Sequence, residues 1–205
     1  MLELLPEEEK IYYSYDSICN SAPNIEELQM LYPVEFLNSL NFNGFPQHDL
    51  HLKIKTPIML LRNLNPVVGL CNGTRLIIIQ LGVRVIEAQI ITGSFAGERV
   101  FIPRIVLSVA EKKWPFILKR RQFPIRICYS MTINKSQGQT LNRIGIYLDK
   151  PVFTHGQLYV ALSRVTHENG IGILIQKHEN DESNEFTNFT KNVVYTEILE
   201  QVSVA

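Results

Sequence analysis

Between residues 51 and 103, short apolar and β-branched runs alternate with turn residues, and this rhythm restricts the fold more than any other feature of the chain. Leu50-His51-Leu52-Lys53-Ile54-Lys55 alternates apolar with polar, as a strand with one buried face does. Pro57-Ile58-Met59-Leu60-Leu61-Arg62-Asn63 and Arg75-Leu76-Ile77-Ile78-Ile79-Gln80 follow, separated by the turn signal Asn72-Gly73-Thr74. Residues 83–92 give another strand, Gly93-Ser94-Phe95-Ala96-Gly97 a turn, and Arg99-Val100-Phe101-Ile102-Pro103 a last strand. Short strands with turns every eight to twelve residues or so predict a small β-barrel, placed at residues 51–108.

The flanks read differently, and the whole is an α/β chain. Ile11-Tyr12-Tyr13-Ser14-Tyr15 is aromatic and reads as a strand. Residues 26–31 and 34–40 read as helical pieces, with Pro33 as the first helical residue of the second. Residues 109–122 read as a basic loop, and residues 123–130, 142–148 and 170–175 as strands. Thr154 is placed to cap a helix with Leu158, Ala161, Leu162 and Val165 on one apolar face. Residues 178–184 are an acidic link, and residues 193–199 a short terminal helix or strand.

Composition narrows the function classes. Cys19, Cys71 and Cys128 are few, odd in number and far apart, which fits a reducing compartment and neither a disulfide framework nor a zinc site. The five histidines have no metal-ligand spacing, so no metal site is expected. No run approaches a membrane span of about 18 apolar residues, and the start has neither the basic region nor the apolar run of a secretory signal. A net charge of zero conceals an asymmetry. Residues 1–50 carry nine acids and one base, residues 51–143 fifteen bases and three acids, and residues 144–205 four bases and eight acids. A basic middle between acidic ends points to a local polyanion site, or, more blandly, to a solvated face with scattered lysines.

Three stretches carry chemistry. Met131-Thr132-Ile133-Asn134-Lys135-Ser136-Gln137-Gly138-Gln139-Thr140-Leu141 follows a strand and is expected to open a helix. A glycine in such a turn lets backbone N–H groups approach phosphate oxygens, and Lys135 adds a point charge. Lys135 alone reads equally as a cation in solvent. Tyr159-Val160-Ala161-Leu162-Ser163-Arg164-Val165-Thr166 puts Arg164 at the polar end of an apolar helix, where a cation also complements the helix dipole. Residues 112–126 interleave Trp114, Phe116 and Phe123 with six cations. That pattern suits base stacking and phosphate neutralisation, or a loop whose aromatics pin it to the barrel. No G-x-x-x-x-G-K-[ST] phosphate loop occurs in the chain.

Together the two C-terminal strings resemble the last two motifs of superfamily-one DNA helicases of the Pif type, in the branch carried by Helitron transposons. Residues 56–64, 69–76, 36–40 and 193–195 extend the similarity over almost the whole chain. One departure is Asn134, where many relatives carry His. The resemblance implies a partial RecA-like domain (residues 1–50 and 109–177) interrupted by an SH3-like barrel, with an acidic link and C-terminal segment at 178–205. It implies the C-terminal part of an ATP-dependent, five-prime-to-three-prime DNA helicase whose first motor half is missing. ATP and Mg²⁺ would serve the complete enzyme and bind this chain alone weakly, leaving it inactive by itself.

In that reading Arg164 is catalytic, reaching the γ-phosphate of a nucleotide held by the other motor domain. Gln137, Gly138 and Gln139 contact nucleotide, while Thr132, Asn134, Lys135, Lys112, Trp114, Arg120 and Arg121 contact single-stranded DNA. Gln157 and Tyr159 also occupy family positions. The partners are single-stranded DNA and the missing motor half, with no membrane. The setting is intracellular and nuclear, in DNA repair or recombination. The rivals are a non-enzymatic nucleic-acid-binding module, marked by salt-dependent binding without hydrolysis, and an inactive transposon remnant, marked by failure to unfold cooperatively.

Overall fold

The computed structural model describes residues 2–19, 25–176 and 189–196. The expected acidic link at 178–184 lies outside these residues, as do residues 197–199 of the expected terminal element at 193–199. The chain divides into two compact units, Met1–Tyr129 and Ser130–Ala205.

In the first unit the elements run β1 (Lys10–Tyr13), β2 (Tyr15–Ile18), α1 (Ile25–Leu31), α2 (Val34–Ser39), β3 (Asp49–Leu52), β4 (Pro57–Leu60), β5 (Arg75–Leu81), β6 (Val85–Ile90), β7 (Arg99–Pro103), β8 (Ile105–Ala110), β9 (Ile117–Gln122) and β10 (Ile125–Ile127). β1 pairs with β3, five strands form a sheet in the order β10-β4-β5-β6-β7, and three form another in the order β2-β9-β8. All of these pairings are antiparallel. The alternation of residues 50–103 does what the sequence predicts: Leu52, Ile58, Leu60, Leu76, Ile86, Ala88 and Ile102 point inward and are fully buried. Each of the larger ones contributes roughly 1.5–3 kcal/mol by leaving water. They form one core with Tyr12, Phe123 and Ile125.

Four expectations are corrected. The barrel is an open five-stranded sheet: among the described residues no closed barrel forms, and the sheet recruits β10 from beyond residue 108. Residues 109–122 are not a loop. They end β8 and supply β9, because Leu118, Arg120 and Gln122 are buried while Ile117 and Arg121 face out, a strand period hidden in a charged run. Residues 11–15 are two strands broken at Ser14, whose N–H donates to the His48 carbonyl. Pro33 caps α2 from an extended conformation (ψ 162°), and its carbonyl accepts from Phe36 and Leu37 N–H.

A second core joins Ile18, Leu37, Leu40, Phe45, Leu107, Phe116 and Leu118, packing α2 and the loop after it on the three-stranded sheet. Within it sits a buried charge pair. Arg120 is fully buried; its Nε donates to Asp16 Oδ1 at 2.9 Å and its Nη2 to Oδ2 at 2.6 Å. The remaining guanidinium donors reach the carbonyls of Leu37, Asn38, Leu40 and Pro46. Ser14 Oγ adds a bond to Asp16 at 2.6 Å. The pair therefore satisfies the carbonyls at the end of α2 as well as both charges.

In the second unit β11 (Ile144–Leu148), α3 (Gln157–Leu162) and β12 (Ile171–Ile175) form a βαβ unit, with the two strands parallel from Ile144↔Ile171 to Leu148↔Ile175. Ile146, Leu148, Val152 and Ala161 are its core. Among the described residues no helix is long and apolar enough to cross a membrane.

Candidate nucleotide and nucleic-acid interface

The second unit brings the two C-terminal strings together. The first does not open an α-helix. It folds as a single 3-10 turn at Ile133–Ser136, closed by Ser136 Oγ donating to the Ile133 carbonyl at 2.6 Å. A hydroxyl that bonds its own backbone competes with helix propagation, and Gly138 then turns the chain with φ +78°. A β-carbon there would meet nothing within 4 Å, so the backbone of Gly138 is open on that side. The second string is carried by α3. Gly156 rather than Thr154 takes the N-cap position, and the Gln157 side chain reaches back to accept from Phe153 N–H at 3.1 Å.

Arg164 joins the strings. Its Nε donates to the Val160 carbonyl at 2.8 Å, Nη1 to the Gln139 carbonyl at 3.1 Å, and Nη2 to Ser163 Oγ at 2.8 Å. Its own carbonyl accepts from Leu141 N–H at 2.8 Å, and Leu141 bridges Val165 in parallel. Arg164 is half-buried, so its guanidinium is partly desolvated. A guanidinium has five N–H donors in a fork that matches phosphate oxygens. Beside it Gln137 and Gly138 are exposed and Gln139 is half-buried, its Nε2 donating to the Lys135 carbonyl at 3.3 Å. Thr132, Asn134 and Lys135 are exposed on the same turn. The donor set fits a phosphate group. Arg164 with the open backbone at Gly138 would hold it, and a bound nucleotide would supply the phosphoryl bond to be cleaved. Among the described residues no group of three His, Cys, Asp or Glu side chains is placed to hold a metal ion.

The remaining candidates lie in the first unit, and they separate. Lys112 is exposed in the β8–β9 turn, and Arg121 is exposed on β9. Arg120, expected to touch DNA, does not: it is buried on Asp16 and cannot meet a nucleic acid. Trp114 is half-buried, edge-on to Tyr32 and Phe36 and stacked on Phe116 at 6.0 Å, with the Lys113 ammonium over its ring. Its aromatics pin the turn to the first helices, not to the expected barrel, and leave it poorly placed to stack a base.

Comparison with known proteins shows what the chain is similar to. Residues 35–81 match the model for the 2B domain of the DNA helicase Pif1. The chain is 31% identical over 157 residues to the ATP-dependent DNA helicase PIF6 of Trypanosoma brucei brucei, covering 69% of this chain and 20% of that protein. It is 33% identical over 131 residues to human ATP-dependent DNA helicase PIF1, covering 61% and 19%. The chain is homologous to the Pif1 DNA helicases. It spans about a fifth of the length of the Pif1 relatives it matches. Among solved structures, Candida albicans Pif1 superposes with a TM-score of 0.67 at 22% identity, over 99% of this chain and 45% of that one. Bacteroides Pif1 bound to single-stranded DNA gives 0.59 at 21%, over 98% and 41%. At these identities the likeness to the Pif1 structures is one of fold.

Within the Pif1-like fold, several polar positions carry structure that the sequence did not advertise. Asp16 and Gln122 are buried; Gln122 Nε2 donates to the carbonyls of Tyr12 and His48 and its Oε1 accepts from Phe123 N–H. The only signal was the period of two through residues 117–122, which assigns Arg120 and Gln122 to the inward face once the segment is read as a strand.

Proposed function

We propose that this chain is the C-terminal part of a Pif-type ATP-dependent DNA helicase, of the Helitron-like branch, contributing single-stranded-DNA contacts and the arginine of the nucleotide site. The observation that supports it most is Arg164 seated on the carbonyls of Ser136 and Gln139 in the first string, which flank the turn at Gly138. Phosphoryl transfer spreads negative charge over equatorial oxygens, and a forked cation stabilises that charge. In this reading the second unit belongs to a RecA-like domain, and the strands within residues 51–108 belong to an SH3-like insertion. Mg²⁺ and the phosphate loop come from the first motor half, and the site of action is nuclear. No G-x-x-x-x-G-K-[ST] string occurs in the 205 residues, so hydrolysis requires that half.

The test joins a Pif1 first motor domain ahead of the chain. Arg164→Ala then lowers DNA-stimulated hydrolysis by about 10³-fold or more, and Arg164→Lys does not restore it. DNA binding without nucleotide stays near normal, and Lys135→Ala weakens DNA binding more than basal turnover. The unfused chain hydrolyses no ATP above background. Normal turnover by Arg164→Ala together with a lowered melting temperature makes Arg164 a structural cation and refutes the assignment.

A further inference from the structure

The outward face of the β2-β9-β8 sheet gathers cations. On the central strand Lys119 and Arg121 both project away from the core, about 6.7 Å apart at a strand rise of roughly 3.3–3.4 Å per residue. Tyr15 stands directly opposite Arg121 on β2 and is 72% exposed. Lys119 is flanked by Ser17 on one side and Ser108 on the other, so two hydroxyls border its ammonium stem. Arg104 enters the same margin, its Nη1 donating to the Tyr13 carbonyl at 2.7 Å. Burial and the charge of Arg121 both lower the Arg104 pKa, so the two guanidiniums feel each other. Among the described residues neither Lys119 nor Arg121 is in an ion pair. The carboxylate on the neighbouring strand, Asp16, is buried and is consumed by Arg120, its cross-strand partner.

Like charges assembled on one face raise the local positive potential and favour an anion with several charges in a row. An exposed aromatic beside them adds a platform for a flat ring. We infer that the outward face of β2-β9-β8 is a track for single-stranded nucleic acid, with Lys119 and Arg121 on successive phosphates and Tyr15 under a base. This deepens the proposed function, on which it rests, by adding Lys119 and Tyr15 to Arg121 as a DNA contact surface in the first unit, whereas Thr132, Asn134 and Lys135 belong to the second. The serines suit the track because small hydroxyl side chains let a backbone approach the cations and donate to phosphate oxygens.

The experiment is titration of the intact chain into a fluorescently labelled oligothymidylate at several salt concentrations, with melting temperatures recorded for every variant. Each phosphate contact to a single strand contributes about 0.7 to the slope of log affinity against log salt. Lys119→Ala/Arg121→Ala is expected to reduce that slope by about 1.4 and to weaken low-salt binding on the order of tenfold. Lys119→Arg/Arg121→Lys keeps both. Tyr15→Ala weakens binding by about tenfold with the slope unchanged, since stacking releases no counterions. If the wild type binds with a salt slope and the double alanine variant matches it while melting normally, the face is not the track, although the helicase reading stands. If the wild type binds no single strand at low salt, both fall. A face used by a protein partner instead gives the first of these results.

Discussion

Arg120 and Arg121 are adjacent cations with opposite fates, and substituting each in turn tests the first unit's architecture. Arg120→Ala removes a guanidinium that is fully buried and makes three bonds to Asp16 within 3.0 Å. It leaves a carboxylate buried with Ser14 as its near neighbour and removes a donor from four main-chain carbonyls, of which that of Leu37 keeps the Leu40 N–H. Breaking a buried pair from one side costs about 3–5 kcal/mol, chiefly because the surviving charge is uncompensated. At roughly 2–4 °C per kcal/mol for a chain of this size, the melting temperature falls by about 6–20 °C. Arg121→Ala, on the exposed side of the same strand, changes stability by less than about 0.5 kcal/mol. Urea unfolding followed by far-ultraviolet circular dichroism measures both. Asp16→Asn/Arg120→Met recovers part of the loss, because removing both charges removes the desolvation cost of the one left behind. A loss under about 1 kcal/mol for Arg120→Ala would refute the reasoning, since an arginine so little missed cannot be carrying a buried charge and the end of α2.

Two further outcomes follow from local geometry. His51 has a pKa raised above its ordinary value, chiefly by its hydrogen bond to Glu9; burial opposes the rise, and the charge of Glu9 and then Asp49 add to it. Its contribution is present below the unfolded value near 6.5 and is lost as pH rises through the higher folded value. The melting-temperature gap between wild type and His51→Gln should therefore be largest near pH 5.5 or so and close by about pH 9, and a gap that widens with pH contradicts it. With both side chains about two-fifths exposed, the effect stays below about 1 kcal/mol. Gly69 sits at φ +79°, and a β-carbon there would come within 2.6 Å of the Phe95 ring. Gly69→Ala should cost about 1–3 kcal/mol, more than Gly138→Ala, which meets the backbone strain alone; equal losses in chemical denaturation would show that Phe95 gives way freely.

The sheet at residues 57–103 was legible because its strands are short apolar or β-branched runs and each turn carries its own signal. Which side of a run faces inward was less so: Leu76, Ile77, Ile78 and Ile79 are all apolar, but only Leu76 and Ile78 are buried. β9 was not legible, because Lys119-Arg120-Arg121 reads as solvated until a partner is found for the middle residue. That partner, Asp16, is 104 residues away and leaves no local trace. Trp114 misled for a related reason: an aromatic among lysines looks like a stacking platform, and the apolar cluster that claims it comes from residues 32 and 36. For the candidate site, both strings could be read, and so could Arg164 at the end of α3. Their junction through Leu141 and Val165 could not, since a parallel bridge between segments more than twenty residues apart has no signature in either. The 3-10 turn at Ile133–Ser136 was equally hidden, because it depends on a serine hydroxyl choosing its own backbone.

The distance in sequence between Asp16 and Arg120 also sets an order of events when the chain is made. At about 5–20 residues per second, the ribosome delivers Arg120 roughly 5–20 s after Asp16. Through that interval β2 has no strand beside it, since β9 is its neighbour in the sheet. A nascent chain halted before residue 117 would hold an open strand edge, the apolar Ile18 and a carboxylate awaiting its cation, all at once. Such an edge is a template for pairing with another chain. Messages broken in that window should therefore yield products that aggregate or are degraded, whereas those ending after residue 127 complete every sheet of the first unit.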